Sequence, residues 1–175
     1  MKYFARTELI DRMKEIALLE GEFILRSGKK SNWYFDKYRF EGIPEIMASV
    51  AHHMARLIPE GTTRLAGIEL GGVPMCTALS LETDLPCIFI RKKAKEYGTE
   101  AMIEGMHDPQ DNILMVEDVV TTGGQAIILI KQLREQGLNI IGTIAVLNRE
   151  AGATDAFAKE NIPFWWLFSR EDFGF

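Results

Sequence analysis

Three observations predict an α/β protein with a doubly wound parallel sheet: short unbroken apolar runs, helical periodicity between them, and turn residues where the two meet. Residues 65–69, 86–91, 113–117, 140–147 and 164–168 are the apolar runs. Their lack of in-out alternation is what a sheet covered by helices on both faces requires. Residues 73–81, 125–136 and 154–160 supply the intervening helical patterns, and Gly137 closes the second of these.

The amino-terminal part reads differently. Leu9, Ile10, Met13, Ile16 and Ala17 form one apolar stripe, which predicts a helix over 7–19 stopped by Gly21. Residues 22–40 form a mixed segment, with short strands at 23–25 and 33–36 joined by the polar turn SGKKS. Pro44 suits the first turn of a helix reaching Leu57, and Pro59-Glu60-Gly61 ends it. With no internal repeat and no Pro-, Gly- or Ser-rich linker, residues 1–175 read as one domain in which 1–40 form an added hood. Residues 92–111 are polar, hold Gly98 and Gly105 and lack periodicity. A loop of that length in a compact domain is a functional candidate.

Composition narrows the function classes. The 175 residues carry 20 basic and 25 acidic side chains, a formal net charge of -5. A general nucleic-acid binder needs a basic surplus to displace counterions, so no nucleic-acid partner is expected. Two local basic groups stand out, Arg91-Lys92-Lys93 with Lys95, and Arg26 with Lys29 and Lys30. Such patches on an acidic protein suit a compact anion. Cys76 and Cys87 lack metal-ligand spacing and read as two buried, reduced thiols; no protein-bound metal centre is expected. The charged amino terminus is unlike a signal peptide, and no window reaches 18 apolar residues. A cytoplasmic protein without membrane contact is therefore expected.

The chemistry concentrates in Ile113-Leu-Met-Val-Glu117-Asp118-Val119-Val120-Thr121-Thr122-Gly123-Gly124-Gln125. A buried strand delivers adjacent carboxylates, then hydroxyls, then paired glycines at a helix start. The glycines let backbone approach an anion, and the free N–H groups and helix dipole stabilise a phosphate. Thr121 and Thr122 can donate to the same phosphate, while Glu117 and Asp118 suit ribose hydroxyls. Each piece alone could be a solvated strand end or a turn; the ordered run is a ribose-phosphate cradle. There is no GxGxxG, and Ser27-Gly28-Lys29-Lys30-Ser31 is not a Walker A loop.

The run resembles the signature of type I phosphoribosyltransferases, which bind 5-phosphoribosyl 1-diphosphate (PRPP). Four further segments resemble the orotate phosphoribosyltransferases: FILRSGKKS at 23–31, GIELGGVP at 67–74, RKKAKEYGT at 91–99 with IEG at 103–105, and LNR at 147–149. The resemblance runs from about residue 7 to 150. It implies a transfer of the phosphoribosyl group of PRPP to orotate with Mg²⁺, in a homodimer with shared active sites. It implies PRPP contacts from Gly71, Arg91, Lys92, Lys95, Tyr97, Glu117, Asp118 and the 119–125 turn, with Lys92, Lys95 and Asp118 in catalysis. Arg26, Thr121 and Arg149 would meet orotate, and 92–111 would be a mobile catalytic loop. The chain departs from the family at Gly71, where several members carry lysine, at Tyr97, often histidine, and at Glu117, often aspartate; this places more weight on Lys92 and Lys95. The carboxyl terminus is also somewhat short.

Bland alternatives stand beside these roles. Arg26 and Arg149 could be surface arginines, and the basic run a solvated face. His52 and His53 fall away from the strand ends, one expected at the core edge and one at the surface; His107 has no assigned role. Trp165 and Trp166 read as core and interface aromatics. Transfer to a purine or uracil, or a non-catalytic PRPP-binding regulator, are the competing functions.

Overall fold

A computed structural model of the chain describes residues 3–24, 28, 30–92 and 102–174. Arg26, Lys95 and Tyr97 lie outside the described residues, as does the middle of the 92–111 segment.

The amino-terminal part opens with α1 (Arg6–Ala17), then β1 (Leu18–Ile24) and β2 (Lys30–Phe35) as a two-stranded antiparallel sheet, then α2 (Lys37–Glu41) and α3 (Pro44–Ala55). Helix α1 ends four residues before Gly21, the stop expected from sequence. Leu18 is already extended and pairs with Phe35, so ladder hydrogen bonds to β2 take over from the helix. Gly21 lies instead where that ladder changes register, between Glu20 and Phe23. The short helix α2 has no counterpart in the sequence reading.

The main sheet comprises β3 (Arg64–Ile68), β4 (Cys87–Ile90), β5 (Ile103–Glu104), β6 (Asn112–Val120), β7 (Asn139–Asn148) and β8 (Phe164–Ser169). Their order is β5-β4-β3-β6-β7-β8, parallel throughout except for the β4–β5 pair. Strand β5 was not expected within the 92–111 loop; it is two residues long, too short to show a period. The helices are α4 (Gly72–Thr83), α5 (Gly124–Glu135), α6 (Gly152–Lys159) and the terminal turn α7 (Arg170–Phe173).

Alternate residues of each strand feed two cores. Leu65, Leu114, Val116 and Ile144 pack with α1, α3 and α4 through Met13, Val50, Met54 and Met75. Ala66, Ile68, Ile113 and Met115 face α5 and α6 through Ile130, Leu133 and Phe157. This period of two, set by the pleat, decides later where each acid of the signature points. Burying such aliphatic side chains contributes roughly 1.5–3 kcal/mol each, so the strand frame under the site is well fixed.

Cys76 is buried, but Cys87, at the start of a strand near the sheet edge, is only half-buried; both are free thiols. His52 and His53 are both half-buried and both partnered, His52 by Glu82 at 2.7 Å and His53 by the Phe4 carbonyl at 2.9 Å. His107 is exposed, and Trp165 and Trp166 are half-buried in β8. Among the described residues no helix is long and apolar enough to cross a membrane.

Candidate active site

Because β3, β6 and β7 run parallel and adjacent, their carboxyl ends share one edge of the sheet, the edge where open α/β sheets take ligands. Three turns meet there. Strand β6 passes through Thr121 and Thr122 into α5, β3 passes through Glu69 to Gly71 into α4, and β7 ends at Asn148, directly before Arg149.

The β6–α5 turn forms the cradle expected from the sequence. Gly123 has φ 75°, a left-handed conformation that favours glycine. A Cβ there would lie 2.7 Å from the Phe157 ring, so the position is closed to side chains on two counts. The chain then enters α5 at Gly124 without any side-chain cap, which leaves the first N–H groups of the helix for a ligand. A cavity of about 480 Å³ opens over this turn, lined by Glu117 and residues 119–126.

The two acids part company. Glu117 follows the α5 face of β6 and lines the cavity. Burial, reinforced by Asp118, raises its pKa to about 8, so at neutral pH it is largely protonated. Asp118 follows the opposite face and is buried. Its Oδ1 accepts the Val119 N–H at 2.6 Å and its Oδ2 meets the Lys37 ammonium of α2. Lys37 and Glu41, one helical turn apart on α2, both reach this acid. Burial works against the Lys37 charge, but Asp118 more than compensates and the ammonium is held more firmly than usual. Burial, then Asp118, raises the Glu41 carboxyl to about 7.

The β3–α4 turn stands beside this cluster. Its Glu69–Leu70 peptide is cis. A Cβ on Gly71 would overlap the Asp118 carboxylate and lie 2.8 Å from Lys37 Nζ; only glycine admits both neighbours. The Lys92 N–H donates to Glu69 Oε1 at 2.6 Å, tying the start of the basic segment to this turn, while the Lys92 side chain is exposed. Arg91 sits on the same side, 3.8 Å from Glu104 on β5. Arg149 is anchored by its N–H on the Val120 carbonyl at 2.8 Å, and its guanidinium lies over the Trp33 ring of the hood.

The structure thus brings together Gly71, Arg91, Lys92, Glu117, Asp118, the 119–125 turn and Arg149 on one edge. Lys37 and Glu41 were missed by sequence reasoning, which placed them in or beside an unresolved mixed segment. The available signal was a lysine and a glutamate four apart, the i,i+4 spacing of one helix face.

No family-wide sequence profile matches the chain. Individual proteins do. An orotate phosphoribosyltransferase of Methanocella arvoryzae is 40% identical over 157 residues, covering 89% of this chain and 90% of its own. One from Methanocaldococcus jannaschii is 40% identical over 158 residues, covering 90% of each. Among solved structures, an orotate phosphoribosyltransferase of Mycobacterium tuberculosis in complex with Fe(III) dicitrate superposes with a TM-score of 0.86 at 26% identity, over 97% of this chain and 99% of that one. With this identity sustained over nine-tenths of the length, and a matching fold, the chain belongs to the orotate phosphoribosyltransferase family of type I phosphoribosyltransferases.

Proposed function

We propose that the turn before α5 holds the 5-phosphate of PRPP while the chain carries out orotate phosphoribosyltransfer, giving orotidine 5′-monophosphate and diphosphate. The observation that carries this assignment is the uncapped start of α5, reached through a left-handed Gly123 and open to a cavity that Glu117, Thr121 and Thr122 line. Phosphate oxygens would accept from the helix N–H groups and the threonine hydroxyls. Glu117 would accept from a ribose hydroxyl. Arg149, stacked on Trp33 at the neighbouring strand end, would hold the orotate carboxylate through paired charge-assisted hydrogen bonds. Arg26 is proposed for the same end of the substrate.

The reaction forms a bond between a ring nitrogen of orotate and the anomeric carbon, breaks the bond from that carbon to the diphosphate, and releases the proton of that nitrogen, which the departing diphosphate or water takes up. Positive charge grows on the ribose and negative charge leaves with the diphosphate. The ring nitrogen is the nucleophile, so no activated Ser, Cys or Lys is needed. The protein's part is to place both reactants and to surround the departing charge with Arg91, Lys92 and Lys95 as water is excluded. Glu117 lines the cavity and, ionised by a neighbouring cation, would offer Mg²⁺ an oxygen ligand; bound with the diphosphate, the ion would offset its charge. We further propose one domain, a cytoplasmic location, and a homodimer in which the 92–111 loop serves the neighbouring site.

The test is a panel of bases with PRPP and Mg²⁺, scoring diphosphate release for orotate, uracil, adenine, hypoxanthine and xanthine. Orotate should be consumed and the purines left. Strong turnover of a purine with none of orotate would overturn the substrate assignment while sparing the cradle.

A further inference from the structure

We propose that Lys37 is a substrate-contacting cation: on PRPP binding its ammonium leaves Asp118 for the diphosphate, and the freed Asp118 carboxylate becomes available to the ribose hydroxyls. The proposal rests on the PRPP reading given above.

PRPP has an anion at each end. The cradle at α5 accounts for the 5-phosphate, and the neighbouring parallel strand supplies a second turn, Glu69 to Gly71, that leads into α4 without a side-chain cap. Lys37 Nζ stands over that turn, 2.8 Å from where a Cβ on Gly71 would be. No side chain from the turn itself can occupy that space, so the cation arrives from α2 instead.

The pair it forms with Asp118 is lopsided. The Asp118 side chain is 3% exposed and the Lys37 side chain 29%, so the lysine, not the carboxylate, keeps part of its side chain open. Around the pair, acids crowd one lysine. Asp118 and Glu41 both favour the Lys37 charge, and burial with Asp118 holds Glu41 and Glu117 well above the usual carboxylate range. A further anion able to take the ammonium would relieve that crowding at Asp118.

Partner exchange follows from the chemistry of the groups. Lysine is a point charge on a flexible stem and can change partners by side-chain rotation. A diphosphate brings more negative charge than one carboxylate, and it would arrive where the lysine side chain is already partly open. Asp118 loses its cation at the moment two ribose hydroxyls can donate to it. The exchange thus leaves neither group bare, and it links α2 of the hood to substrate at the sheet edge.

The experiment compares binding of Mg²⁺-diphosphate and of ribose 5-phosphate, by calorimetry, to wild type, Lys37→Met and Lys37→Arg. A lost charge-assisted contact should weaken diphosphate roughly tenfold or more in Lys37→Met. Ribose 5-phosphate should not weaken, because Lys37→Met leaves Asp118 free for its hydroxyls, and Lys37→Arg should recover part of the diphosphate loss. Diphosphate affinity within twofold of wild type in folded Lys37→Met overturns the proposal, and so does an equal loss for both ligands, which marks general collapse of the edge. A second measurement needs no variant: a crystal structure of wild type with Mg²⁺-diphosphate. Nζ within hydrogen-bond distance of a diphosphate oxygen supports the exchange, and Nζ still on Asp118 alone overturns it. Orotate turnover by wild type in the base panel keeps the enzyme assignment standing whichever way Lys37 falls.

Discussion

The guanidinium carbon of Arg149 lies 5.1 Å from the centroid of the Trp33 ring. One residue directly follows β7 of the main sheet and the other belongs to the two-stranded hood sheet, so the contact ties the hood to the proposed base site. Cation–π contacts of this kind are worth about 0.5–2 kcal/mol, more when water is excluded. Trp33 also restricts the guanidinium plane, which matters for a fork that must meet a planar carboxylate.

The first prediction concerns that pair. Arg149→Ala should raise the KM for orotate by roughly tenfold or more, the loss of a charge-assisted contact, with a much smaller change for PRPP. Trp33→Ala should move orotate KM in the same direction by less. If Trp33 acts through Arg149, the double variant will fall short of the product of the single effects. Steady-state kinetics on the three variants decide it; strictly multiplicative effects would show that the stacking has no bearing on orotate.

Gly123→Ala should damage both stability and the cradle. The left-handed φ of 75° and the Phe157 ring 2.7 Å from the added Cβ act together. A cost of about 1–3 kcal/mol is expected, with weaker binding of ribose 5-phosphate. Thermal unfolding and calorimetry measure the two effects, and a variant with unchanged midpoint and affinity would contradict the geometry assigned to this turn.

The Glu41 carboxyl yields a pH prediction. Burial first, and Asp118 second, raise its pKa from 4.5 to about 7. Between those values the unfolded chain has released this proton and the folded chain still holds it, so the folded state binds more protons and stability falls as pH rises. Below about pH 4.5 both states are protonated, above about pH 7 both are ionised, and this group contributes no slope in either range. One proton limits the slope to roughly 1.4 kcal/mol per pH unit. Denaturant titrations of Glu41→Gln should therefore lose less stability than wild type between pH 4.5 and 7. Parallel curves for the two proteins across that window would show that Glu41 titrates normally.

The fold was largely written in local sequence because its strands are unbroken apolar runs and its helices carry clear stripes. Residues 113–125 held even more, since the cradle is one continuous piece of chain. Reading failed where structure depends on contacts distant in sequence. Helix α2 spans five residues, too few to display a period, and it is held by Phe40 in the core and by Lys37 on Asp118, 81 positions away. The adjacent acids Glu117 and Asp118 looked like one donor pair, yet strand alternation sends them to opposite faces. That consequence of the pleat was available from the sequence once 113–120 was taken as a continuous strand.

The last prediction is that the 92–111 loop crosses a two-fold interface to serve the neighbouring site. The loop opens on Lys92, Lys93 and Lys95, charges that the acidic edge holding Glu117 and Asp118 would attract, while its far end stays on its own subunit through the pairing of β5 with β4. In a symmetric dimer each loop can cross and each site receives one. The test mixes two inactive variants, Lys95→Ala and Asp118→Asn, under conditions that exchange subunits. If Lys95 acts across the interface, each mixed dimer holds one intact site and one doubly defective site. Random exchange makes half of the dimers mixed, so activity should return to roughly a quarter of wild type. If Lys95 serves its own subunit, every site in the mixture keeps one defect and no activity returns. Native mass spectrometry on differently tagged subunits establishes that exchange took place, and a mixture shown to exchange yet still inactive rules the crossed loop out.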